Sequence, residues 1–483
     1  MIEMSLAEVA EATNGRVCDG DPGTLVTAAA FVDSRRGTRG GLFVAVRGEH
    51  VDGHAFAGAA IDGGAAGVLA ARRVGRPAVL VEDTLSALGQ LARVVIERLP
   101  DLRVVAVTGS QGKTSTKDLV AQILESAGPT VAAEGSFNNE IGVPLTALQA
   151  TAQTRYLVVE MGSRGAGHIS YLCGITPPDV AVVLNVGVAH LGEFGSREQI
   201  ALAKAELVEA LTGDGTAVLN ATDPYVSAMS ARTSARVLTF GDSPAADVQM
   251  LDLVLDASGR PRFSLVHGDD SRQVMLPLIG AHQAANAAAA TAAALACGLS
   301  LEAIAAVLPT VTERSRWRME MHERADGVTV INDAYNANPD SMRAALESLV
   351  AIGHGRGDVG RTWAVLGEMR ELGAASRQEH EALGRLVAAS DVSRLVVVGE
   401  ETRPLHLGAS REGAWHGESV LVPDAEQAVR LLSSQLRAGD IVLVKASRAA
   451  GLEQVAEQLL EDSATPGGVA NPAAAPLTEE GAR

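Results

Sequence analysis

Residues 104–126 constrain the fold more than any other part of this 483-residue chain. Val104-Val105-Ala106-Val107 has the length and apolarity of a buried strand. Thr108-Gly109-Ser110-Gln111-Gly112-Lys113-Thr114-Ser115 follows at once, and a helical pattern runs from Thr114 to Ser126. Glycines let a backbone turn tightly enough to aim its N–H groups at a polyphosphate. Lys113 can then reach the terminal phosphates, and the Thr114 hydroxyl can ligate Mg²⁺. Gly109, Ser110, Gln111, Gly112, Lys113, Thr114 and Ser115 are therefore candidate ATP ligands. The general loop has its first glycine where Val107 stands, so this is a shorter G-x-x-G-K-T form. The alternative is a glycine-rich strand–helix turn with a chance lysine. Strand, loop, Lys-Thr and helix in that order favour the nucleotide.

The same alternation continues on both sides. After the loop, strand patterns at Tyr156 to Glu160, Val180 to Asn185 and Ala217 to Asn220 are separated by helical stretches, notably Ser196 to Leu211 and His282 to Ala296. This predicts a mostly parallel, helix-covered sheet. A further set at Val328 to Asn332, Thr362 to Leu366, Arg394 to Val398 and Ile441 to Lys445 predicts a second doubly wound sheet. Before the loop, short runs such as Leu42 to Val46 and Gly67 to Ala70 predict a small α/β unit. The expectation is an α/β protein of three domains: a small α/β unit over 1–98, a central ATPase-type parallel sheet over 99–312, and a Rossmann-like domain over 313–462. Residues 463–483, rich in Ala, Pro and Gly, read as a disordered tail.

Composition excludes several functions. A net charge of −18 and 3% aromatic residues argue against a nucleic-acid surface. Cys18, Cys173 and Cys297 are far apart and suggest neither a metal cluster nor a disulfide framework. No apolar stretch reaches the length of a membrane span, and the first residues do not pattern as a signal peptide. A cytoplasmic protein without membrane insertion is expected.

Only four of the 40 Lys and Arg residues are lysines: Lys113, Lys117, Lys204 and Lys445. Biased codon supply can cause this, but a chain that otherwise uses arginine draws notice to places that keep a primary amine. Lys117 reads as a solvated helix position. Glu160 ends a predicted strand, where side chains of open α/β sheets point into the ligand crevice. His190 follows another strand by a short loop, and either a structural or a metal-ligating role is open to it. Lys204 lies in a helical run, as a surface residue paired with an acid or as a functional amine.

Together these residues resemble the Mur ligase family, ATP-dependent amide-forming enzymes of peptidoglycan precursor synthesis. The phosphate loop, Glu160, His190 and Lys204 match the family's ATP and magnesium positions in order. Gly280-Ala281-His282-Gln283-Ala284-Ala285-Asn286 resembles its Gly-x-His-x-x-x-Asn segment, with Gln283 where many relatives carry Asn. Three segments are similar to the branch that adds D-alanyl-D-alanine: Phe137-Asn138-Asn139-Glu140-Ile141-Gly142, Asn332 to Pro339, and Leu366 to Gly373. The Asp-Asn-Pro-Arg motif of the diaminopimelate-adding sister is missing from the matching region.

The resemblance implies ligation of D-alanyl-D-alanine to UDP-N-acetylmuramoyl-tripeptide by a monomer. It implies catalytic roles for Lys113, Glu160, His190 and Lys204, and Mg²⁺ held by Thr114, Glu160, His190 and a carbamylated Lys204. Asn286 would approach the adenine, while Arg318 and Asp333 would reach the nucleotide once the third domain swings in. Ser34, Arg35, Asn138, Asn139 and Asn336 would serve the substrates. Lys445 matches a family segment in which Gly usually stands at Ala446, and it receives no catalytic role. Other readings are another Mur-type ligase, a folate polyglutamate synthase-like enzyme, or a nucleotide-gated binding protein that ligates nothing.

Overall fold

The computed structural model describes residues 1–48, 51–187, 191–357 and 360–464. His190 and the greater part of the predicted tail lie outside the described residues. Three main sheets follow one another along the chain. The first has five strands in the order Arg16–Cys18, Ala78–Leu80, Gly67–Ala70, Leu42–Val44 and Ala30–Phe31, with only the Arg16–Cys18 edge antiparallel.

The second sheet has nine strands. Its parallel part places Arg103–Thr108 between Val180–Val183 and Tyr156–Glu160. These strands are apolar almost throughout because helices cover both faces. Sequence patterning missed the far end of this sheet: Arg236–Gly241, Val248–Leu255, Pro261–His267 and Asp270–Met275. The last three form an antiparallel meander with a register shift between Leu251 and Val254. Charged residues such as Asp252, Arg262 and Arg272 interrupt the apolar runs there, as half-solvated antiparallel strands allow.

The third sheet orders its six strands Glu320–Glu323, Thr329–Asn332, Ile441–Lys445, Thr362–Leu366, Arg394–Val398 and Glu418–Val422, antiparallel only at the Glu320–Glu323 edge. The first and second blocks share one apolar core. Leu88 and Leu91 of helix Thr84–Glu97 belong to the same buried cluster as Val143, Ile169 and Leu172 of the second block. The third block has clusters largely of its own, one of which also takes in Ile279. Among the described residues no helix is long and apolar enough to cross a membrane.

Candidate active site

Parallel sheets present the loops after their strand C-termini as a ligand crevice. Here two such edges face each other. From the second sheet come the phosphate loop, Glu160 as the last residue of its strand, and Asn185. From the third come Asp333, directly after Thr329–Asn332, and Lys445, the last residue of Ile441–Lys445. Between them lies a cavity of about 650 Å³. Its wall includes the whole loop from Gly109 to Ser115, and also Asn138, Asn139, Glu160 and Lys204, with Asn286, Arg318, Asp333 and Asn336 completing it. Ser34 and Arg35 are outside this wall. Arg35 is exposed and bonded to Asp33 at 2.8–2.9 Å.

The loop is built around Asn185, whose Oδ1 accepts the N–H groups of Ser110 and Gln111, each at 3.0 Å. Ser110 Oγ in turn accepts from Gly187 N at 2.9 Å. Gly112 sits at φ +80°, and a Cβ added there would meet Asn286 Oδ1 at 2.6 Å. Both the backbone conformation and the close approach of helix His282–Ala296 therefore require glycine. Gly112→Ala is expected to weaken ATP binding at least ~10-fold, measured by calorimetric titration, because its loop must shift away from the nucleotide. Asn286 Nδ2 donates to Gln283 Oε1 at 2.9 Å. The longer glutamine at the departure from the family pattern thus ties down the very residue expected at the adenine.

Lys113 Nζ donates to Gly109 O at 2.8 Å and curls over its own loop. Burial lowers its pKa, with Glu160 opposing the shift. Glu160 is 1% exposed. One carboxylate oxygen accepts Thr114 Oγ1–H at 2.7 Å and the other accepts Asn138 Nδ2 at 2.6 Å. Among the described residues it makes no ion pair. A buried carboxylate supported only by neutral donors, with a threonine hydroxyl beside it, is a set of hard oxygen donors suited to Mg²⁺. No group of three or more His, Cys, Asp or Glu able to hold a metal exists among the described residues. Phosphate, water, a modified side chain and His190, which lies outside the described residues, are the remaining sources of ligands.

Lys204 is 6% exposed and lines the same cavity. Burial, and then the charge of Lys113, lower its pKa to about 7. A surface lysine paired with an acid is thus not what the structure shows.

The third block already lies over the loop. Arg318 Nη2 donates to Thr114 Oγ1 at 3.2 Å, and its guanidinium packs 4.2 Å from the Tyr335 ring centroid. Its Nε is buried with no partner among the described residues, a donor fitted to an incoming phosphate oxygen. Tyr335 Oη bonds Ser136 of the second block. Lys445 is 3% exposed and its Nζ donates to Asp333 Oδ2 at 2.6 Å and Asn336 O at 2.8 Å. It is therefore a cavity residue that fixes the Asp333–Asn336 turn.

Lys117 corrects an expectation. It is not solvated: at 1% exposure it is among the largest fully buried side chains. Its ammonium bonds the carbonyls of Ala133 and Gly135 and pairs with Asp118. Tyr335, Ser136 and Asn185 were not singled out by sequence reasoning, although Tyr335 and Asn185 stand inside segments that were. Lysine scarcity drew notice to Lys117, but nothing in the sequence marked its burial.

A phosphate loop that shares a cavity with the strand ends of a second parallel sheet has the form of a nucleotide-binding site. The chain belongs to the Mur ligase family: residues 107–294 match the Mur ligase middle domain and residues 317–448 the Mur ligase, glutamate ligase domain. It is 47% identical to the UDP-N-acetylmuramoyl-tripeptide–D-alanyl-D-alanine ligase of Mycobacterium tuberculosis, over 96% of this chain and 98% of that one. The fold superposes on MurF from Acinetobacter baumannii with a TM-score of 0.84 at 32% identity, covering 95% and 99% of the two chains. MurF ligase from Thermotoga maritima in complex with ADP gives a TM-score of 0.76 at 30% identity, covering 91% and 98%.

Proposed function

We propose that the protein joins D-alanyl-D-alanine to UDP-N-acetylmuramoyl-tripeptide at the expense of ATP, a step of peptidoglycan precursor synthesis. The observation that carries this reading is end-to-end likeness to ligases of that name, combined with a cleft that sets Lys113, Glu160 and Lys204 opposite Arg318 and Asp333. In the same reading the enzyme is a cytoplasmic monomer.

A free carboxylate does not react usefully with an amine, because its leaving group would be oxide. One carboxylate oxygen of the tripeptide attacks the γ-phosphorus of ATP, and ADP leaves. The dipeptide amine attacks the acyl carbon of the resulting acyl phosphate. The tetrahedral adduct loses phosphate, and the nitrogen loses a proton. Each step concentrates negative charge on phosphoryl oxygens, so preorganised positive groups are the main contribution the protein can make. In this reading Lys113 would face the terminal phosphates, and Arg318 would bring its Nε, which has no other partner among the described residues. Ser110 and Gln111 are held by Asn185 so that the loop keeps its shape.

Thr114, Glu160, His190 and a modified Lys204 would hold Mg²⁺, which neutralises phosphate charge when bound. Lys204 suits modification because a pKa of about 7 leaves much of its amine neutral near neutrality. CO₂ adds to a neutral amine and turns a cation into a carboxylate-like anion, which the delocalised, permanently charged guanidinium of arginine cannot become.

The test is phosphate release from ATP. It is expected only when both UDP-N-acetylmuramoyl-tripeptide and D-alanyl-D-alanine are present. Release with neither would favour a nucleotide-gated switch, and release with a different amino-acid acceptor would favour a sister ligase.

A further inference from the structure

The mechanism above leaves Lys117 without a task, yet it is the most deeply engaged lysine of the chain. It lies on helix Lys113–Glu125, one turn beyond the phosphate loop. An ammonium has three N–H donors and no acceptor. All three are used: for Ala133 O, for Gly135 O at 3.0 Å and for Asp118 Oδ1 at 2.6 Å.

Each partner leads elsewhere. Ala133 and Gly135 begin the loop that follows strand Thr130–Ala132, and Gly135 adopts φ +55°. Within that loop Glu134 pairs with Arg36 of the first block at 3.2 Å, and Ser136 bonds Tyr335 of the third. Asn138 holds Glu160 at 2.6 Å. Asp118 uses its other oxygen to accept Ser315 Oγ–H at 2.6 Å, and Ser315 is buried in the segment that enters the third block. Arg318, three residues further on, reaches Thr114. Gln122 and Glu125 grip the same segment through Thr312 and Arg314.

We propose that Lys117 and Asp118 are positioning residues that couple the seating of the third block to the aim of Glu160. Ser315 docks on Asp118, Asp118 fixes the Lys117 ammonium, and the ammonium sets the 133–138 loop that carries Asn138. This rests on the ligase reading above. It adds that the carboxylate at the phosphoryl centre is aligned only while the segment before Arg318 is in place.

The experiment uses the full-length protein and phosphate release dependent on both substrates. Failure of the wild-type protein to show that dependence would sink the ligase reading itself. With wild-type activity established, Lys117→Met is expected to lower kcat ~100-fold, the scale of an approximately 1 Å misplacement of a reacting group. KM for ATP should stay within about 3-fold, because the groups that face ATP are untouched. A folded Lys117→Met protein with kcat near the wild-type value overturns the proposal. Should that variant not fold, Ser315→Ala carries the test, since it removes only one hydroxyl. Its expected fall in kcat is roughly 5–10-fold at unchanged KM for ATP. In an Asn138→Ala background that fall should vanish, because the receiving end of the coupling is gone. An equal fall in both backgrounds, or no fall in either, overturns the proposal.

Discussion

Lys204→Arg is expected to lose on the order of 10³-fold in kcat while the protein stays folded and still binds ATP. Arginine has a similar reach, but its guanidinium stays protonated and cannot add CO₂, so the neutral, modifiable amine is lost. The buried amine titrates near 7, lowered first by burial and then by Lys113. Below that pH it is protonated and closed to CO₂. At constant dissolved CO₂ the wild-type rate should therefore fall as pH drops through 7, and the residual Lys204→Arg rate should lack that limb. A carbamate resonance from ¹³CO₂, present in wild type and missing from the variant, gives a readout independent of turnover. Full activity of Lys204→Arg at ambient bicarbonate would end the assignment. The same titration touches stability. Between about 7 and the ordinary 10.5 the unfolded chain holds a proton on this amine that the native chain does not, so its contribution makes stability rise with pH across that window.

The second large effect is expected at Lys445. Lys445→Met removes the ammonium paired with buried Asp333 and strips the Asn336 carbonyl of that donor. Breaking one side of a buried pair costs about 3–5 kcal/mol. For a block of this size that corresponds to a calorimetric transition lower by roughly 10 °C. Adding Asp333→Asn should restore much of the loss, because a neutral amide needs no counter-charge and its oxygen can still accept Met319 N–H. ATP affinity should not return with it, because Asp333 is the group proposed to meet the nucleotide. A transition within about 2 °C of wild type for Lys445→Met would show that the pair is not holding the turn.

What the sequence made legible follows from how locally each feature is encoded. The phosphate loop is one contiguous segment, and its strand, glycines and helix all appear in order. Glu160 could be placed at a crevice because it ends an apolar run, and a parallel sheet turns such positions into one edge; Lys445 ends a run in the same way but receives no place there. The meander from Val248 to Met275 escaped because its exposed faces carry Asp252, Arg262 and Arg272, which erase the buried-strand pattern. Lys117 escaped for a different reason. Its partners are backbone carbonyls about one strand and a turn away, and carbonyls leave no mark on a sequence. Likewise the pairing of Ser136 with Tyr335 depends on two blocks meeting, which no local period encodes.

None of the four lysines is exposed: three are buried and Lys113 is half-buried over its loop. An enzyme that makes an acyl phosphate handles a reagent that acylates amines. This one shows almost no side-chain amine on its outer surface for a stray acyl group to find. The same arrangement leaves the outer surface of the folded chain with little lysine for a dye too bulky to enter the cavity, while unfolding uncovers all four sites. Dye uptake would thus count unfolded molecules directly.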